Sequence, residues 1–205
     1  MTIAAAAALG LTLSEKELTD LARLGSGSAC RSIPDGFVKW EGETAWSIYP
    51  PEYWDVRDIL VIVEQKKKAV SSSHGHDAVE TSPFFASRLA VIPKRIERIE
   101  QALKNKDFKA LGEVTEEDCL DMHHVMQTQN PPLFYWTDET KKVLESVKRW
   151  RDEGLPVYFT IDAGPNVHLV CEGKDEKAVV EKLISYKIIV NKPSIGARII
   201  QEHSF

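Results

Sequence analysis

The sequence predicts a mixed α/β chain whose second half is a two-layer split β-α-β sandwich of the ferredoxin-like kind. Three observations predict it: a buried apolar run at 58–64, three amphipathic helical stretches at about 83–104, 107–128 and 138–152, and a strand, turn, strand, helix, strand succession that closes at 191. With 205 residues, 43% of them hydrophobic and 28% charged, the chain can bury a sizeable core in one or two domains. The boundary is expected at residue 50, with 51–205 forming the sandwich and 1–50 a smaller unit packed beside it.

Each element has its own signal. "MTIAAAAALGL" reads as helix from its first residue, with no capping residue before it, as though entered midway; a frayed terminal helix fits equally. In "TLSEKELTDLARLG", Ser14 and Glu17 have capping-box spacing, and Leu18, Leu21 and Ala22 share one face of a short helix. "GFVKWEGETAWSIYP" places two aromatic and β-branched runs around Gly42, the pattern of a hairpin. "RDILVIVEQ" is a buried strand, and the lysine- and serine-rich stretch after it a long polar loop. Three helices follow, the third begun after the breaker "NPP" at 130–132. Then come strands at 156–162 and 167–172 around a Gly-Pro turn, a helix at 175–185 and a strand at 186–191.

Composition excludes several functions. A formal net charge of −5 with scattered basic residues gives no electrostatic footprint for nucleic acid, and the five tryptophans form no stacking ladder. The apolar start is too short to span a bilayer and lacks a basic leader, so no membrane or export role is expected. Cys30, Cys119 and Cys171 lie far apart without CxxC spacing, which suits reduced thiols in the cytoplasm. His74 and His76 have H-x-H spacing but no third ligand, so no metal site is expected there. Lys66, Lys67 and Lys68 suit a solvated corner, or a mouth that gathers anions. Met122, Met126, His123 and His124 read as ordinary helix positions.

Two stretches carry chemistry. "LGSGSACRS" at 24–32 sets Ser26, Ser28 and Arg31 among glycines that let a backbone approach a ligand; an anion site and a plain polar turn both fit. "TIDAGPNVHLV" at 160–170 ends an apolar strand on Asp162, followed at once by a forced turn. That carboxylate sits at the rim of a sheet, as a reactive acid or as an Asx-turn acid satisfying local amides.

"SGSACRS", "VETSP" at 79–83 and above all "DAGPN" at 162–166 resemble, in order and spacing, the diphosphomevalonate decarboxylases of the galactokinase, homoserine kinase, mevalonate kinase and phosphomevalonate kinase superfamily. The resemblance implies that 51–205 is the family's C-terminal domain and 1–50 a remnant of its N-terminal kinase-like domain. It implies ATP-dependent decarboxylation of mevalonate 5-diphosphate to isopentenyl diphosphate, with ATP and Mg2+ as cofactors of the full-length enzyme. Carried over, Asp162 orients and deprotonates the tertiary hydroxyl, and Arg31 holds the substrate carboxylate and keeps Asp162 ionised. Ser26, Ser28, Ser72 and Ala163 contact the substrate. A homodimer and a small phosphorylated substrate are the implied partners.

Two departures qualify the expectation. The family's Gly- and Ser-rich ATP loop precedes its alanine-rich helix, so this chain is expected to lack the loop, with a separate N-terminal half as a possible partner and apolar surface left open on residues 1–50. Gly75-His76 stands where the family has Gly-Met, which suggests a changed phosphate environment. Alternatives are therefore a decarboxylase of phosphomevalonate or of mevalonate 3,5-bisphosphate, and a non-catalytic truncated module that binds or dimerises.

Overall fold

A computed structural model describes residues 1–64 and 78–200. The chain divides into two units: residues 1–55 together with the described residues from 192 onward, and Val56–Asn191.

In the first unit, helix α1 (Thr2–Ala8) is followed by α2 (Glu15–Gly25). The expected capping box forms: Ser14 Oγ accepts from the Glu17 amide, and the Glu17 carboxylate accepts from the Ser14 amide at 2.8 Å. A 3-10 turn, Gly27–Ser32, leads to an antiparallel hairpin of β1 (Phe37–Glu41) and β2 (Thr44–Tyr49). Gly42 makes its turn with φ +60°, a region glycine enters without a Cβ clash. Leu9, Leu11, Leu21 and Leu24 are exposed, as the sequence predicts for residues 1–50.

The segment after residue 191 belongs to this unit, although 51–205 reads as one domain in the sequence. Gly36 donates to the Ser194 carbonyl and Ala197 to the Ser32 carbonyl, both at 2.9 Å. Asp35 accepts from the Gly196 amide and from Arg198, which together hold its carboxyl below the usual range. Gly196 is required there, since an added Cβ would lie 2.0 Å from the Ile33 carbonyl oxygen.

The second unit is the expected sandwich. Strands β3 (Val56–Ile62), β4 (Val157–Thr160), β5 (Val167–Glu172) and β6 (Lys187–Asn191) form an antiparallel sheet in the order β4-β5-β3-β6. Ile59 and Val61 of β3 and Val167, Leu169 and Cys171 of β5 are buried at alternate positions, as period-two strands require. Helices α3 (Phe85–Asn105), α4 (Phe108–Thr128), α5 (Asp138–Asp152) and α6 (Glu176–Lys182) complete the unit. Arg88 and Arg95 of α3 bridge to Asp118 and Asp121 of α4. Gly112 lets α4 approach the sheet, since a Cβ there would lie 2.0 Å from the Tyr158 ring.

"VETSP" has a structural part to play: the Thr81 hydroxyl accepts from the Asn130 amide at 2.7 Å, and Ser82 and Thr128 share a 2.8 Å hydrogen bond, tying this turn to the end of α4. No helix among the described residues is long and apolar enough to cross a membrane. All three cysteines are free and buried.

Candidate active site

In the first unit, Ser26 is extended at φ −161° and the chain then winds into the Gly27–Ser32 turn. Cys30, fully buried, anchors the turn by donating from Sγ to the Gly27 carbonyl at 3.3 Å. This leaves Ser26, Ser28 and Arg31 exposed on one short turn. The Arg31 guanidinium stands 5.9 Å from the Trp40 ring centroid, within cation-π range. The turn therefore presents two hydroxyl donors and a cation, equipment for an anion. Ser72, His74, His76 and Lys66 to Lys68 lie outside the described residues.

In the second unit, Asp162 is exposed two residues after the end of β4, whose outer edge has no neighbouring strand among the described residues. Side chains take that neighbour's place. Arg151 donates to the Val157 carbonyl at 3.0 Å, and Glu116 accepts from the Phe159 amide at 3.0 Å. The Cys119 sulfur accepts from the Ile161 amide at 3.2 Å, and His123 Nε2 lies 3.2 Å from the Ile161 carbonyl oxygen. Residues 157, 159 and 161 turn their backbone groups to the same edge because strand geometry alternates. Glu116, Cys119 and His123 reach them from one face of α4. Arg151 and Glu116 are themselves paired in a fork at 2.7 and 3.0 Å.

The turn after Asp162 is clamped as well. Gly164 donates to the Asp162 carbonyl at 2.8 Å, the Thr140 hydroxyl donates to the Pro165 carbonyl at 2.7 Å, and Asn166 Oδ1 accepts from the Val63 and Glu64 amides at 3.0 and 3.2 Å. Among the described residues, no hydrogen bond of the Asp162 side chain takes part in this turn. Ala163 shares the turn, half-buried.

The surroundings are tuned by burial. Burial pushes the Cys119 thiol up to about 11, so it remains a thiol. Burial also holds His123 below the ordinary histidine value of 6.5, against the hydrogen bond to Ile161 and the nearby Asp162 carboxylate. His168 is shifted the other way, raised by Asp58 at 2.9 Å. Tyr135 and Trp136 pack on the His123 ring, and their polar atoms are buried without a partner among the described residues. The sequence reads Cys119 as a reduced thiol and His123 as an ordinary helix position, and Glu116 carries no motif; their helical spacing of three and four is the signal that sets them on one face.

Residues 59–202 match the family model of the mevalonate 5-diphosphate decarboxylase C-terminal domain, and residues 1–47 that of the diphosphomevalonate decarboxylase-like N-terminal domain. A diphosphomevalonate decarboxylase of Candida albicans is 36% identical over 181 residues, covering 83% of this chain and 50% of that protein. One from Aspergillus fumigatus is 37% identical, covering 82% and 45%. The chain spans about half the length of the curated relatives it matches. Among solved structures, a complex of MDDEF with MVAPP, AMPPCP and magnesium superposes with TM-score 0.85 at 35% identity, covering 93% of this chain and 62% of that one. The mevalonate diphosphate decarboxylase of Staphylococcus aureus superposes with TM-score 0.82 at 37% identity, covering 92% and 61%.

Proposed function

Because the chain belongs to the diphosphomevalonate decarboxylase family, we propose that it carries the acid and carboxylate-binding parts of a site that converts mevalonate 5-diphosphate to isopentenyl diphosphate. The observation that carries this reading is the Asp162 turn: an exposed carboxylate on a backbone clamped at Ile161, Pro165 and Asn166. Such fixation suits a group that must meet one substrate oxygen in one direction.

In this reading Asp162 accepts the hydrogen bond of the tertiary hydroxyl, orients it, and takes its proton as the oxygen becomes a nucleophile. Arg31 grips the substrate carboxylate, whose planar pair of oxygens matches a guanidinium fork, until it departs as CO2. Ser26 and Ser28 donate hydrogen bonds to the substrate's anionic groups, with Ser72 and Ala163 as further contacts. ATP with Mg2+ supplies the phosphoryl group that makes the tertiary oxygen a leaving group. In this reading the chain's own residues act by binding, orientation and proton transfer.

The test is calorimetric binding of mevalonate 5-diphosphate to the 205-residue chain, alongside Arg31→Met and an assay of CO2 release with ATP and Mg2+. Binding that Arg31→Met abolishes supports the reading. No binding by the unaltered chain overturns it, and leaves the fold as shared ancestry.

A further inference from the structure

The proposed acid is an exposed side chain at the end of a strand, so something must decide where it points. The peptide joining Ile161 to Asp162 is a rigid plane containing the Ile161 carbonyl and the Asp162 amide nitrogen. Whatever orients that carbonyl orients the plane, and leaves Asp162 only its own backbone and side-chain rotations. Ile161 lies beyond β4, which ends at Thr160, so sheet pairing does not hold it. Two side chains one helical turn apart on α4 do: Cys119, which accepts from the amide at 3.2 Å and donates weakly to the carbonyl at 3.7 Å, and His123, whose Nε2 lies closer to the carbonyl oxygen, at 3.2 Å.

His123 is the more informative of the two. It is 1% exposed, an imidazole buried beside the strand end that carries Asp162. A carbonyl oxygen can only accept, so Nε2 must carry the proton, which fixes the tautomer. The ring is braced by Trp136 at 4.8 Å and Tyr135 at 6.2 Å between centroids, so it cannot swing away without repacking.

We infer that His123 is a positioning residue for Asp162: its ring donates from Nε2 to the Ile161 carbonyl and thereby sets the peptide plane from which the carboxylate departs. The inference rests on the role given to Asp162 above, yet the geometric part is measurable without turnover. Burial favours the neutral ring, which suits the arrangement, since a neutral ring needs only the one donor that meets the Ile161 carbonyl.

The experiment uses the 205-residue chain, with nitrogen-detected spectra of its histidine rings and amide exchange by residue. At pH 7 the His123 ring is expected neutral with the proton on Nε2; a proton on Nδ1 alone, or on both nitrogens, overturns the inference without any variant. In His123→Leu the Ile161 and Gly164 amides, bonded to Cys119 and to the Asp162 carbonyl, should exchange about tenfold faster, the loss of one buried hydrogen bond, while the Phe159 amide held by Glu116 is unchanged. His123→Gln, which keeps a donor, should restore most of that protection. Unchanged exchange at 161 and 164, or loss spread evenly over β4 and β5, refutes positioning. Titration with mevalonate 5-diphosphate separates the two claims: failure of the unaltered chain to bind defeats the proposed function alone, whereas protected amides in His123→Leu defeat the positioning role alone.

Discussion

Glu116 holds together the edge of β4, and replacing it by leucine should be among the most damaging single changes in the second unit. Its side chain is 11% exposed and accepts three hydrogen bonds, two from Arg151 and one from the Phe159 amide. Removing one partner of a buried ion pair costs ~3–5 kcal/mol when the other is left uncompensated. Arg151 is 28% exposed, so its guanidinium recovers some water, and the cost falls just below that range, to ~2–3 kcal/mol. The orphaned Phe159 amide, in a fully buried residue, adds ~1–2 kcal/mol. Leucine's own burial returns ~1 kcal/mol, leaving a net loss of ~3 kcal/mol. Urea unfolding of Glu116→Leu, Arg151→Met and the double variant measures it. The double variant should lose at least ~1.5 kcal/mol less than the sum of the singles, because it carries no abandoned charge. A loss below ~1 kcal/mol in Glu116→Leu, or strict additivity, would refute the assignment of this pair as the clamp on β4.

Three further outcomes follow from other parts of the molecule. Gly112→Ala forces a methyl group against the Tyr158 ring and should cost ~3 kcal/mol, read as a fall in Tm; an unchanged Tm would mean that α4 shifts freely on the sheet. The two buried or half-buried histidines should bend stability with pH in opposite directions. His123 resists protonation when folded, so stability falls as pH drops below about 6.5, where the unfolded chain binds the proton; His123→Gln should flatten that acid limb. His168 is stabilised in its protonated form by Asp58, so its contribution is present below about 6.5 and lost as pH rises through its raised folded value; Asp58→Asn should lower Tm at pH 6 more than at pH 9. Asp162→Asn should leave Tm nearly unchanged while removing several kcal/mol of transition-state stabilisation in an active enzyme; a large fall in Tm would return Asp162 to the status of a turn residue.

Local periodicity carries the architecture of this chain because each element is decided by contacts near in sequence. The capping box at Ser14 and Glu17 and the hairpin at Gly42 are self-contained, and both form where the sequence puts them. Strand ends are set from afar. β3 begins at Val56 rather than at 58 because Val56 and Arg57 pair with Glu172 and Cys171, partners more than a hundred positions away. β4 stops at Thr160 rather than 162, its last partner being His168 of β5, while the backbone groups of Ile161 face the outer edge and meet the side chains of Cys119 and His123. The return of residues 192–200 to the first unit depends on Asp35, whose partners Gly196 and Arg198 have no local signature. The candidate site divides the same way: Asp162 and Arg31 stand out by motif, whereas the residues that hold Asp162 in place do not.

The reason lies in what an edge strand needs. An open edge invites pairing with another chain, and proteins suppress this by covering the edge. Here α4 covers it with hydrogen-bonding side chains instead of a strand, and a helix can do so because positions 116, 119 and 123 recur on one face while 159 and 161 recur on one strand edge. The two periods match over only a few residues, so the ladder must end, and it ends at Ile161, next to the exposed acid. Protection of the edge and delivery of Asp162 are thus two consequences of one packing arrangement. Damage at the Glu116 end should therefore appear first as lost stability, and damage at the His123 end first as a loosened Asp162 turn, with Cys119 between them showing both.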